Sequence, residues 1–217
     1  MNTEKYEHRS YNFEIRSERN DNGISTLRGT AIVYSSPTDI GGFFREIIEP
    51  GALIGANLRD VPLLVNHNNE MIPVARSRNN NANSTMRLTV SERGLEMEAD
   101  LDTERNMTAR ELDSAVERGD LDGMSFWFAV SDERWDDLET EYPTRHILKF
   151  DTIREISAVT WPAYESTNLY SARSKEVLDN ARASLESARQ QSAEPLDSGI
   201  LELEKAKFKF KTIFGGN

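Results

Sequence analysis

The chain has 217 residues, 37% of them apolar and 29% charged, with a net charge of −11 and no cysteine. That length holds one domain of ordinary size plus an appendage, and the acidic balance argues against nucleic acid as the primary partner. Without cysteine there are no disulfides, thiolate metal sites or cysteine nucleophiles. No apolar run approaches the roughly 20 residues of a membrane helix, and the polar start MNTEKYEHRS lacks the apolar segment of a secretory signal.

Polarity in the first ten residues predicts that His8 is exposed. YNFEIRS alternates Tyr11, Phe13 and Ile15 with polar neighbours, the period of a half-buried strand. LRGTAIVYSS predicts a second strand, closed by the turn cluster SSPTD. GGFFREII predicts a third, broken at EPGAL by proline and glycine. VPLLVNHNN predicts a fourth, with Leu63, Val65 and His67 on one face. MRLTV and GLEMEADLD predict a hairpin across SERG. TERNMTARELDSAVERG predicts a helix capped by Thr103, ended by Gly119 and facing inward through Leu112, Ala115 and Val116.

In SFWFAV, strand alternation puts Met124, Phe126, Phe128 and Val130 on one face and Ser125, Trp127 and Ala129 on the other. RHILKFDTI and REISAVTW predict two further strands, ended by PAY, with Trp161 and Pro162 as a core plug and turn. About eight strands with two helices make an α+β fold, a mainly antiparallel β barrel or sandwich with flanking helices. The charge divides the chain: residues 1–170 carry −12, whereas residues 171–217 carry +1. The boundary is therefore placed near 171. In the tail, Val177, Ala181, Leu185 and Ala188 stand at helical spacing, SAEPLDSG is a linker, and KAKFKFK alternates lysine with apolar residues.

A serine hydrolase needs a hydroxyl, a base to take its proton, a group to orient the base, and donors for the oxyanion. Three histidines are available as base: His8, His67 in NHN, and His146 in RHILKF. Ser125 follows Gly123 by two residues but precedes Trp127, so the G-x-S-x-G elbow is absent. On residue pattern alone, a strand serine facing water is the commoner use of such a position. His67 is equally a strand-end histidine bonding its asparagines, and Glu155 a surface carboxylate beside Arg154. Trp127 serves packing or lines a groove. The acidic stretches DTERN and DERWDDLETE read as solvated loops, lacking a ligand pattern with histidine.

VPLLVNHN, GMSFWF and REISAVTWPAY, with GTAIVYSS, FFREIIEPGAL and LEMEADLD around them, resemble the tailed-phage prohead proteases, serine enzymes of capsid maturation related to herpesvirus assemblin. The resemblance covers roughly residues 10 to 170. The helical spacing and the KAKFKFK end of residues 171–217 read as a helical or partly disordered tail that docks the enzyme or is self-cleaved, whereas the resemblance implies a herpesvirus-protease-like fold over residues 1–170. It implies Ser125 as nucleophile, His67 as general base and Glu155 as orienting acid. His146 is the alternative third member, since the herpesvirus relatives use a second histidine after the serine. The oxyanion donors are expected among backbone N–H groups near the serine strand or the REIS strand. No cofactor and no metal are implied. The implied substrates are the major capsid protein, scaffold and the enzyme itself, within the immature capsid in the host cytoplasm. The herpesvirus relatives imply a homodimer, and neither nucleic acid nor membrane is a partner. The alternative is a non-catalytic scaffold or assembly protein that retains the fold.

Overall fold

The computed structural model of the protein describes residues 6–11, 15–19, 24–160 and 172–193. Phe13, the Trp161–Pro162 pair, the linker beyond residue 193 and the KAKFKFK segment lie outside the described residues. In chain order the elements are β1 Tyr6–Tyr11, β2 Ile15–Arg19, β3 Ser25–Val33, β4 Thr38–Ile40, β5 Phe44–Ile48, β6 Val61–Val65 and β7 Ala75–Ser77. They continue with β8 Met86–Val90, β9 Gly94–Leu101, α1 Met107–Glu117, β10 Gly123–Asp136, β11 Thr144–Val159 and α2 Ala172–Ala193.

The fold is α+β and mostly strand, in two sheets that do not close into a barrel among the described residues. A four-stranded sheet runs β2-β3-β9-β8, and a seven-stranded sheet runs β1-β10-β11-β5-β4, with β6 and β7 attached through β11. Pairing is antiparallel except where β11 meets β5 and β6, both parallel. Leu27, Ile32, Leu95 and Met97 of the smaller sheet share one core with Phe126, Phe128, Phe150 and Ile156 of the larger, an arrangement compatible with a sandwich.

The predicted hairpin forms as β8 and β9, with Met86 opposite Ala99 and Val90 opposite Leu95. Gly94 closes it at φ +142°, and a Cβ there would lie 1.9 Å from the Ile32 carbonyl oxygen. β3 bulges at this point, its register shifting between Thr30 and Ile32. Only glycine admits so close a backbone approach. Gly94→Ala should therefore destabilise the fold by about 3 kcal/mol or more, lowering the thermal midpoint by about 10 °C; an unchanged melting curve would refute this.

Helix α1 starts later than predicted. Its N-cap is Asn106, not Thr103, because the Asn106 side chain accepts from the Ala109 N–H at 3.2 Å. Gly119, at φ +73°, follows the helix as expected. Leu112 and Val116 are buried and Ala115 packs beside them. Asp113 is also buried, accepting from Ser25 Oγ at 2.9 Å and from Ser17 Oγ, which ties the helix to β3 and β2.

Two further differences concern strands. RHILKFDTI and the REISAV of REISAVTW lie in one 16-residue strand, β11, rather than two. The polar opening segment forms β1, on the far edge of β10. β1 holds because its charges are paired inside the protein. Arg9 donates to Glu46 at 2.6 and 2.7 Å and to Glu7 at 2.6 Å. Arg145 donates to both Glu7 oxygens at 2.8 Å, to Glu46 at 3.0 Å and to Glu133 at 2.8 Å. Burial would raise the Glu7 pKa, but Arg145 and Arg9 more than offset it and hold the carboxyl at about 2.

Helix α2 lies against the body. Ala181 and Leu185 are buried with Ile40 and Phe44, beside Phe43, Trp135 and Leu138. The Arg182 guanidinium sits 4.4 Å from the Phe43 ring centre, and Arg189 Nη2 donates to the Thr140 carbonyl at 2.7 Å.

Candidate active site

Strand β6 does not carry His67 on its face. It ends at Val65, and Asn66 and His67 both take left-handed backbone, at φ 51° and 55°. Two such residues in succession turn the chain back across the end of β11. Asn66 fixes the turn: its N–H donates to the Ala158 carbonyl at 2.9 Å, and its side-chain oxygen accepts from the Thr160 N–H and hydroxyl, each at 3.1 Å.

The imidazole then spans β11 to reach β10. His67 Nε2 lies 2.6 Å from Ser125 Oγ, and Nδ1 is hydrogen-bonded to Glu155 Oε1. A carboxylate can only accept, so Nδ1 carries the hydrogen and Nε2 presents its lone pair to the serine. Ser157 ties the two partners together, donating to Glu155 Oε1 at 2.9 Å and accepting from the His67 backbone N–H at 3.1 Å. Register explains the convergence: Ser125 stands opposite Ser157, and Trp127 opposite Glu155. Ser125, Trp127, Glu155 and Ser157 therefore share one face of the sheet, while Phe126 and Phe128 anchor β10 in the core. Ser125 does not face water. It is 0% exposed and Glu155 is 4% exposed. Its hydroxyl also lies 2.8 Å from the Arg9 carbonyl of β1.

Residues 11–181 match the model of the caudovirus prohead serine proteases. The chain belongs to that family. It is 30% identical over 160 residues to the prohead protease of Enterobacteria phage HK97, across 72% of this chain and 64% of the relative, so it spans just under two thirds of that relative's length. No solved structure matches it. The three positions singled out by the family resemblance, Ser125, His67 and Glu155, are the three side chains in contact here.

His146 is not brought to Ser125. Its Nδ1 lies 2.6 Å from Glu49 and its Nε2 3.1 Å from Asp136, near the opposite end of β11. The nine residues to Glu155 correspond to roughly 30 Å of strand. His8, expected to be exposed, is half-buried instead; its ring stacks on Trp127 at 5.2 Å and meets the His67 ring edge-on at 4.7 Å. His8, His67 and Glu155 bring one ligand-type atom each within 4.8 Å of one another. A metal there would have to displace the bond that already joins His67 to Glu155.

Sequence reasoning missed Ser157, Asn66 and the Arg9 carbonyl. Ser157 had a signal: in REIS it stands two residues past Glu155, hence on the same strand face. The Arg9 contact had none, since it depends on β1 pairing with a strand more than a hundred residues away.

Proposed function

We propose that the protein is a serine endopeptidase of phage prohead maturation, with Ser125 as nucleophile, His67 as general base and Glu155 as the acid that orients the base. The observation that supports this reading is the unbroken contact from Glu155 through His67 to Ser125. His67 Nε2 takes the hydroxyl proton as Ser125 Oγ attacks the scissile carbonyl carbon. Glu155 stabilises the imidazolium so formed. His67 then returns the proton to the leaving amine, and water repeats the sequence on the acyl-enzyme. Backbone N–H groups near the serine strand or the REIS strand serve as oxyanion donors.

Its substrates are scaffold or the scaffolding segment of the major capsid protein, and the enzyme itself, inside the immature capsid in the host cell. Confinement there raises the substrate concentration and suits a slow enzyme. The body is a herpesvirus-protease-like domain of residues 1–170, and it works as a homodimer. Residues 171–217 are a tail that docks the enzyme on the inner shell. A specific observation favours a second reading, a non-catalytic assembly protein: Ser125 is fully buried, with its hydroxyl held at the Arg9 carbonyl.

Co-expression with the cognate major capsid protein separates the two. Wild type should shorten the capsid protein, as read by mass, and Ser125→Ala should not. Shortening by both would remove Ser125 from the mechanism, and shortening by neither would favour the assembly reading. The third member has its own test in cleavage kinetics. Glu155→Gln should lower the rate by on the order of 10³-fold or more, because the amide no longer fixes the tautomer or balances the imidazolium. His146→Ala should leave the rate within about twofold, given its distance from the serine. A larger loss from His146→Ala than from Glu155→Gln would overturn the assignment.

A further inference from the structure

Beside Glu155 the outer face of the larger sheet opens into a cleft of about 310 Å³. Pro62, Leu64 and Ile153 give it an apolar lining, and Trp127, two residues from Ser125 on β10, lines it as well. Three arginines line it, Arg59, Arg76 and Arg154. The two carboxylates in the lining are already engaged. Asp60 takes both of its bonds from Arg76, at 2.6 and 2.7 Å, and Glu155 holds His67. Arg59 has no ionic partner among the described residues, and Arg154 lies over the Tyr6 ring, 5.1 Å from its centre.

This is a local cationic site on a chain of net charge −11. An acidic peptide meets general repulsion over such a surface, so a carboxylate gains most where the field is reversed and the surroundings are partly apolar. Guanidinium bonds carboxylate in paired, planar geometry, which fixes position as well as charge. Trp127 is two residues from Ser125 on the same strand face, a separation of roughly 7 Å. A substrate chain crossing the serine therefore places a side chain about two residues from the scissile bond at the mouth of the cleft.

We propose that this cleft is the specificity subsite of the enzyme and that it receives an aspartate or glutamate side chain of the substrate, held by Arg154 and Arg59. The proposal rests on the active-site reading above. The test is a cleavage profile on a mixed peptide library and on co-expressed capsid protein, with product termini identified by mass spectrometry. Wild type should cut sites carrying Asp or Glu at one fixed offset, roughly 10- to 100-fold faster than their Asn or Gln counterparts. Arg154→Glu combined with Arg59→Glu should reverse that ranking in favour of Lys and Arg at the same offset. Cleavage by wild type with no acidic preference, or a preference that the double variant keeps, would overturn the cleft while leaving the triad in place. If wild type cuts neither the library nor the capsid protein, the active-site reading fails and the cleft falls with it.

Discussion

Purified Ser125→Ala should cleave substrate at least on the order of 10⁴-fold more slowly than wild type while melting within about 4 °C of it. The two halves of this expectation have separate causes. Removing Oγ removes the covalent route through Ser125, and Ser157, across the pair on β11, is turned toward Glu155 and the His67 backbone. The structural cost is small because one hydroxyl proton serves two acceptors, His67 Nε2 and the Arg9 carbonyl, so at most one net hydrogen bond is lost, about 1 kcal/mol. The methyl group of alanine fits the same buried position. Residual cleavage near the wild-type rate would exclude Ser125 as nucleophile. A large fall in melting temperature would make the loss of activity uninformative.

Arg145→Met should lower stability by about 3–5 kcal/mol, or the thermal midpoint by roughly 10–15 °C. Arg145 is 2% exposed and bonds Glu7, Glu46 and Glu133 together. Without it, Arg9 alone must balance carboxylates that stay buried, and an unpaired buried charge costs far more than the pair contributes. The pH dependence gives an independent check. In wild type the Glu7 carboxyl is held at about 2, below its ordinary 4.5. Its contribution is therefore fully present above about 4.5 and is lost as pH falls toward 2. In Arg145→Met the buried Glu7 takes up its proton more readily, so the deficit should narrow as the solution is acidified. Denaturant midpoints measured across that range would show it; a deficit that widens on acidification would refute the account.

The parts of the fold that were legible in the sequence are those governed by local periodicity. The β8–β9 hairpin, the inner stripe of α1 and the alternation around Phe126 and Phe128 each depend on neighbours a few residues apart. β1 was not legible. Its Glu7 and Arg9 read as solvent residues, and they are buried because Glu46 and Arg145 arrive from strands 37 and 138 residues away. The continuity of β11 was hidden by the polar run through Asp151 and Arg154, which is carried across because β10 pairs along the whole length. At the site, residue type and family resemblance pointed to Ser125, His67 and Glu155. How His67 reaches the serine was not legible, because alternation cannot anticipate two left-handed residues after a strand.

The long strand β11 also sets a clock. It contributes Glu155 and Ser157, and it pairs with strands made about a hundred residues earlier, Thr144 with Arg45 and Ile156 with Leu63. Parallel pairings over such separations form slowly, since the loop must close before any contact rewards it. While β11 is still on the ribosome, His67 has neither its carboxylate nor the hydroxyl that holds its backbone. Synthesis of a hundred residues takes roughly 5–20 s. The contact from Glu155 through His67 to Ser125 is therefore a late event, absent until β11 has been made and has paired.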